Sequence, residues 1–140
     1  MRGISYLNEH GIKSFRLSSS LFPLFEFCGD IAKNDEQITS DLALAGRRFK
    51  ESGIRVTCHP GQFCVISSDK DTVIQNSIKE LEYHAWIFDS MGFDTTPYYA
   101  INIHGGKRGK LEKLIEVTNS LPDNVKKRLT FENDERCYNV

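Results

Sequence analysis

Two histidines and one glutamate each lie at the end of a short segment with the β-branched or apolar composition of a strand. His59 follows RVTC, His104 follows YAINI, and Glu132 follows RLTF. Two imidazoles and a carboxylate suit a divalent transition metal such as Mn²⁺, Zn²⁺ or Fe²⁺. Neighbouring parallel strands lie about 4.8 Å apart, so three such side chains can reach one ion. We predict that His59, His104 and Glu132 form a catalytic metal site. Asp134 is either a further ligand or a solvated loop carboxylate.

The residues after His59 predict a sharp turn. Pro60 and Gly61 interrupt the strand, and an amide and an aromatic ring follow at Gln62 and Phe63. An exposed ring beside a ligand is difficult to explain by folding alone. We therefore expect Gln62 and Phe63 to be exposed beyond the strand rather than packed in the core.

Strand and helix patterns alternate along the whole chain, which predicts an α/β fold. Helices are expected at about residues 35–52, 70–91 and 108–120, with Gly53 and Gly92 as stops and Ser68 or Asp69 as a cap. The aromatic segment at residues 21–30 is expected to be a loop whose rings, with Trp86, belong to the core. Such alternation predicts about four strand-helix units with parallel strands. Because the polar residues follow the strands, their convergence favours a (β/α) barrel over an open sheet.

The chain length predicts one incomplete domain. A TIM barrel typically has about 250 residues, so residues 1–140 are predicted to form a single partial TIM-barrel domain. Four strands do not close a barrel, and we expect unpaired edges with apolar residues facing the missing half. Val56, Ile101, Ile103 and Phe131 are expected near that open side or facing the helices. Self-association through the open edge is a further expectation.

Composition bounds the classes of function. The net charge of −1 gives no basic surface, so any binding of nucleic acid depends on a local site. No apolar run approaches the roughly 20 residues of a membrane span, and the N-terminal segment does not resemble a signal peptide. We expect no membrane partner.

The four cysteines are scattered without a CxxC pair, which favours structural thiols in an intracellular, reducing compartment, the cytoplasm. A zinc knuckle formed by Cys58 and Cys64 around His59 is the alternative, although their spacing fits no standard zinc finger.

The remaining histidines and one arginine are assigned from their surroundings in the sequence. His10 lies in a turn before Gly11, and His84 lies beside the apolar stripe of a helix; both are predicted to be surface residues. Arg16 lies between two apolar residues of a strand. As a buried arginine it requires an anionic partner, either an ion pair inside the barrel or the substrate.

Five segments, in this order, resemble the UV damage endonuclease family of DNA repair enzymes. They are NEHGIKSFRLSSSLFP, HPGQF, LEYHAWIFDSMG, IHGGKRGKLE and LTFENDERCYNV. The resemblance extends over nearly the whole chain, and the combination of HPGQ, IHGG and END is more specific than any single motif.

The resemblance implies a TIM barrel that nicks DNA on the 5′ side of pyrimidine dimers and other UV photoproducts. It implies that His59, His104 and Glu132 bind a divalent metal, most often Mn²⁺, with Zn²⁺ or Mg²⁺ as alternatives. Gln62 and Phe63 match a pair that enters damaged duplex DNA. The residues predicted to bind DNA are Gln62 and Phe63, together with Asn8 and Arg16.

The chain also departs from the family pattern. Members usually have a strand before this N-terminus and about three strand-helix units after END, with further ligands. They tend to have a histidine where Phe27 stands and a tyrosine where Phe63 stands. The alternatives are a metal-dependent sugar isomerase or epimerase on a similar barrel, and an inactive half-barrel that binds DNA.

Overall fold

The computed structural model describes residues 2–106 and 108–132 as one parallel sheet with helices. The strand order is β1-β2-β3-β4, and every neighbouring pair is parallel. The predicted α/β fold with four parallel strands is confirmed. In chain order the elements are α1 (Arg2–Glu9), β1 (Ser14–Leu17), α2 (Phe25–Asn34), α3 (Glu36–Glu51), β2 (Arg55–Cys58), α4 (Asp71–Ser90), β3 (Ile101–His104), α5 (Leu111–Ser120), α6 (Asp123–Lys126) and β4 (Leu129–Glu132).

The predicted helix boundaries agree closely with those observed. Gly53 and Gly92 follow α3 and α4 with φ of 62° and 70°, a conformation that favours glycine, so both are stops as expected. The predicted cap of α4 is wrong, because Lys70 occupies the N-cap without a side-chain bond. Ser68 instead accepts a hydrogen bond from the Lys70 amide in the preceding turn.

The aromatic segment expected to be a loop contains the helix α2. The Phe25 ring lies 4.3 Å from Tyr83 and 5.1 Å from Trp86, so packing on α4 favours a helix that the local sequence did not indicate. The helix is irregular at Cys28, where the backbone is non-helical. Phe25 and Trp86 pack against the core as expected, whereas Phe27 is 83% exposed, contrary to expectation.

The two faces of the sheet differ in chemistry. Val56, Ile101 and Ile103 are fully buried on the face covered by helices, as expected. Alternate residues point to the opposite face, and they are polar: Arg16, Thr57, Asn102 and Thr130. The expectation of apolar residues facing a missing half is therefore wrong for this face. Phe131, in the edge strand β4, is 39% exposed.

An ion pair between the buried Arg128 and the partly exposed Asp89 carboxylate lies at the start of β4. Arg128 is fully buried and donates hydrogen bonds to the Asp89 carboxylate at 2.6 Å and to the Phe93 carbonyl at 2.6 Å. The Ile101 amide donates to the Arg128 carbonyl at 2.9 Å. The bonds that the Arg128 guanidinium donates are charge-assisted and therefore stronger than neutral ones. Together with the backbone bond from Ile101, they join β4 to α4 and β3 and help to position Glu132 at the other end of the strand.

Candidate metal centre and nucleic-acid interface

The three side chains singled out from the sequence meet at the carboxyl ends of three strands. His59 directly follows β2, and His104 and Glu132 are the last residues of β3 and β4. One ligand atom from each lies within 4.8 Å of the others. The predicted convergence is confirmed, because parallel strands in the order β2-β3-β4 bring their ends to one edge of the sheet.

Glu132 lies between the two imidazoles. Its Oε1 atom is 3.2 Å from Nε2 of His59, and its Oε2 atom is 3.1 Å from Nδ1 of His104. The two rings are roughly perpendicular, with centroids 4.9 Å apart. The His59 side chain is largely buried, whereas those of His104 and Glu132 are nearly half exposed. The cluster is therefore accessible from the end of the sheet.

The hydrogen bonding of His59 shows that the cluster suits a cation. Its Nδ1 atom lies 2.8 Å from the Pro60 carbonyl, which only accepts, so Nδ1 carries the proton. In a neutral ring Nε2 then presents a lone pair to the Glu132 carboxylate. Two lone pairs at this distance repel, and either a proton or a metal ion between them removes the repulsion. The donor set thus fits a divalent metal.

A short hydrogen-bond chain on the polar face orients Glu132. Asn102 donates from Nδ2 to Oε1 of Glu132 at 2.7 Å, and Thr130 donates from Oγ1 to Oδ1 of Asn102 at 2.8 Å. Partners of this kind fix the direction of a ligand. Asn102 and Thr130 were not among the site residues predicted from the sequence. The alternation within INIH, which places Asn102 on the same face as His104, is the signal that could have indicated the first.

The segment after His59 is a tight turn with an exposed tip. The Cys64 amide donates to the Gly61 carbonyl at 2.9 Å, so Gln62 and Phe63 are the two central residues of a β-turn. Both are exposed, and Phe63 is 80% exposed. The predicted exposure of this pair is confirmed. The aromatic ring four residues after His59 is therefore free to stack on a ligand.

The other two predicted DNA contacts lie in α1 and β1, which carry no member of the cluster. Asn8 donates to the hydroxyl of Ser52, which precedes β2, and so lies toward the opposite end of the sheet from His59. Arg16 lies midway along β1 opposite Thr57, on the polar face. It is exposed, so the expected buried arginine is wrong. Roles for Asn8 and Arg16 in binding DNA stay predictions.

The two remaining histidines differ in environment. His10 is exposed, as predicted. The surface position predicted for His84 is wrong, because this residue is 1% exposed within α4, whose buried face is broader than one stripe. Burial lowers the pKa of His84 to about 4, and its Nε2 atom has no hydrogen-bond partner among the described residues. Asp134 lies outside the described residues.

The cysteine geometry does not support a zinc knuckle. Cys58 is buried on the helix-covered face, whereas His59, the next residue, joins the cluster at the strand ends. Burial raises the pKa of the Cys58 thiol, and raises that of Cys64 to about 12. Both thiols are free and protonated at neutral pH. They behave as the structural thiols that the sequence predicted; Cys137 lies outside the described residues.

Parallel strands with candidate ligands at their carboxyl ends are the arrangement found in a (β/α) barrel. The family model described as UV-endonuclease UvdE matches residues 1–140, and the chain belongs to that family. None of the helices in the described ranges is both long and apolar enough to cross a membrane.

Named relatives agree with this assignment. The chain is 43% identical over 138 residues to the UV DNA damage endonuclease of Nostoc sp., covering 98% of this chain and 43% of that protein. It is 39% identical to the UV DNA damage endonuclease of Deinococcus radiodurans, covering 99% of this chain and 46% of that protein. The solved structure titled "Crystal Structure of SacUVDE" superposes with a TM-score of 0.82 at 33% identity, covering 97% of this chain and 47% of the other. The chain spans less than half the length of these relatives.

Proposed function

We propose that this chain forms part of a metal-dependent DNA repair endonuclease, which nicks DNA on the 5′ side of pyrimidine dimers and other UV photoproducts. The observation that carries the proposal is the convergence of His59, His104 and Glu132, with the exposed Gln62–Phe63 turn three and four residues after His59 in the chain. The names of the relatives support the reaction class. Residues 1–140 would constitute a single partial-barrel domain, and the free buried thiols favour an intracellular, reducing location.

In this proposal His59, His104 and Glu132 hold one divalent metal, Mn²⁺ first and Zn²⁺ or Mg²⁺ as alternatives. When bound, such an ion supplies Lewis acidity that activates water and neutralises charge on a leaving oxygen. The residues of the chain keep the donors in place. The Pro60 carbonyl fixes the His59 tautomer, and Asn102 holds one carboxylate oxygen of Glu132.

The turn provides the contact with DNA. Gln62 and Phe63 enter the duplex at the lesion, where the ring stacks and offsets part of the few kcal/mol that unstacking requires. A damaged site is easier to open than an intact one, which gives the turn its selectivity. Arg16 and Asn8 make further contacts with the duplex in this proposal.

The same turn distinguishes between the alternative functions suggested by the sequence. A sugar isomerase encloses a small substrate, and the exposed Phe63 ring has no role in such a pocket. An inactive half-barrel that binds DNA is the second candidate. It is favoured by the small ligand set, because the cluster in the described part of the chain has three members.

The experiment uses the 140-residue chain with Mn²⁺ and duplex DNA, either UV-irradiated or untreated. We expect tighter binding to irradiated duplex, reduced by Phe63→Ala, and very slow incision that requires Mn²⁺, because three ligands hold one metal weakly. His10→Ala, at an exposed histidine away from the cluster, is the control. Nicking that depends on Mn²⁺ and Glu132 supports the endonuclease, and selective binding without nicking supports the second candidate. Equal binding of irradiated and untreated duplex contradicts both.

A further inference from the structure

Helix α4 holds the Gln62–Phe63 turn at two points. On the N-terminal side, the Gly61 amide donates to Oε1 of Glu80 at 2.7 Å. On the C-terminal side, the Val65 amide donates to Oγ of Ser77 at 2.8 Å. Glu80 and Ser77 are three residues apart and so lie on one face of α4. The two exposed residues of the turn lie between the two fixed amides.

The side chain of Cys64 makes a third contact between this segment and α4. Cys64 is 2% exposed, and its thiol lies 3.8 Å from the Ser77 carbonyl. The hydroxyl of Ser77 also donates to the Val73 carbonyl at 2.7 Å, which fixes its direction. The residue after the tip is thus buried while the tip itself is exposed. Folding alone accounts for the buried side of the turn but not for the ring held in solvent.

Glu80 is a costly choice for a purely structural contact. It is partly buried, and desolvation raises the pKa of its carboxyl, while the hydrogen bond from Gly61 acts in the opposite direction. A carboxylate in such a place needs strong compensation. The bond from the Gly61 amide supplies it, because a charge-assisted bond is roughly twice as strong as a neutral one. Through this hydrogen bond, Glu80 stabilises the turn.

We propose that Glu80, supported by Ser77, is a positioning residue that holds the 59–65 segment so that Gln62 and Phe63 project toward DNA. This inference rests on the proposed function for its ligand, damaged duplex DNA. A turn that is already ordered binds without a further loss of conformational freedom. Glu80 acts through the turn and touches neither DNA nor the metal ligands.

The first measurement needs no DNA. Amide hydrogen exchange is followed by NMR in the wild type, Glu80→Ala, Glu80→Asp and Glu80→Gln. Glu80→Ala removes the acceptor, Glu80→Asp shortens its reach, and Glu80→Gln keeps an oxygen at the same distance. We expect the protection of the Gly61 amide to fall about tenfold or more in Glu80→Ala and Glu80→Asp, and to be largely retained in Glu80→Gln. Glu82→Ala, at an exposed position of the same helix, is the control.

The second measurement is binding of UV-irradiated duplex. Glu80→Ala should weaken it about tenfold, Glu80→Gln should restore most of the loss, and Mn²⁺ affinity should change little. In a Phe63→Ala background, Glu80→Ala should have no further effect. Unchanged Gly61 protection in Glu80→Ala and Glu80→Asp overturns the proposal, as does an equal loss of duplex binding with and without Phe63.

Failure of the proposed function gives a different pattern. If the wild type does not prefer irradiated duplex, the assigned ligand is wrong, and Glu80 is then not a positioning residue for damaged DNA whatever the exchange data show. If the wild type does prefer irradiated duplex but the Glu80 variants bind it normally, the proposed function survives and the role of Glu80 is refuted. If Glu80→Ala does not fold, Glu80→Asp and Glu80→Gln provide the same comparison of reach.

Discussion

The Nε2 atom of His59 lies 3.2 Å from Oε1 of Glu132, although the strands that carry these residues are not neighbours in the sheet. Strand β3 lies between them and contributes His104 to the other carboxylate oxygen. The carboxylate of Glu132 thus contacts both imidazoles. Its orientation determines whether the three side chains can bind the same ion.

The hydrogen-bond chain behind the carboxylate should tune metal affinity. Replacing Asn102 with Ala removes the donor to Glu132, and we expect Mn²⁺ affinity to fall about tenfold or more. Thr130→Val, which removes the donor to Asn102, should have a smaller effect that disappears in the Asn102→Ala background. Calorimetric titration with Mn²⁺ of the wild type, the two single variants and the double variant measures these changes in affinity. Additive effects of the two substitutions would show that Thr130 does not act through Asn102.

The exposed turn should contribute to duplex binding but not to stability. Replacing Gln62 and Phe63 with Ala should weaken binding of irradiated duplex about tenfold, at the low end of the ~1–3 kcal/mol that stacking on an aromatic ring supplies. The free energy of unfolding should change by less than about 0.5 kcal/mol, because both side chains are exposed. Parallel titrations with duplex and with Mn²⁺ provide the test. Equal losses of duplex affinity and Mn²⁺ affinity would show that Gln62 and Phe63 support the metal site instead.

The sequence predicted the main site because its geometry depends on strand ends. His59, His104 and Glu132 needed only the parallel order of β2, β3 and β4 to converge. Asn102 and Glu80 were not predicted, since their roles depend on single side-chain contacts between distant elements.

The errors have a similar origin. Helix α2 depends on the packing of Phe25 on α4, and His84 is buried because α4 contacts neighbours on a broad face. The periodicity of one helix does not show how much of its circumference other elements will cover. Arg16 was expected to be buried because its neighbours are apolar, but alternate strand residues face opposite sides of the sheet.

The buried His84 should make the fold sensitive to acid. Burial lowers its pKa to about 4, whereas an unfolded histidine has a pKa of about 6.5, so the unfolded chain binds more protons between these values. The stability that comes from keeping His84 buried and neutral is complete above about pH 6.5. It is lost as the pH falls toward 4, and the loss amounts to roughly 3 kcal/mol. Urea unfolding at several pH values should show a smaller acid loss in His84→Leu than in the wild type, with His10→Ala as the control. Identical pH profiles for wild type and His84→Leu would contradict this assignment.

The edge of β4, which pairs with no further strand among the described residues, should promote self-association. Phe131 is partly exposed in this strand, and an unpaired edge with an apolar residue favours pairing with another chain. Sedimentation over a range of concentrations should give a mass above that of the 16.0 kDa monomer, and Phe131→Glu should reduce it. Leu24→Glu, at an exposed apolar residue just before α2, is the matched control. A monomer at every concentration would show that this edge does not associate.

A Mn²⁺ titration of the chain, followed by electron paramagnetic resonance, shows directly whether His59, His104 and Glu132 bind a metal. We predict one saturable site in the wild type and in His10→Ala, with affinity reduced about tenfold or more by each of His59→Ala, His104→Ala and Glu132→Gln. Affinity should also fall at acid pH, because the ligands bind the metal only when deprotonated. If the titration curves of the three cluster variants coincide with that of the wild type, His59, His104 and Glu132 do not bind the metal.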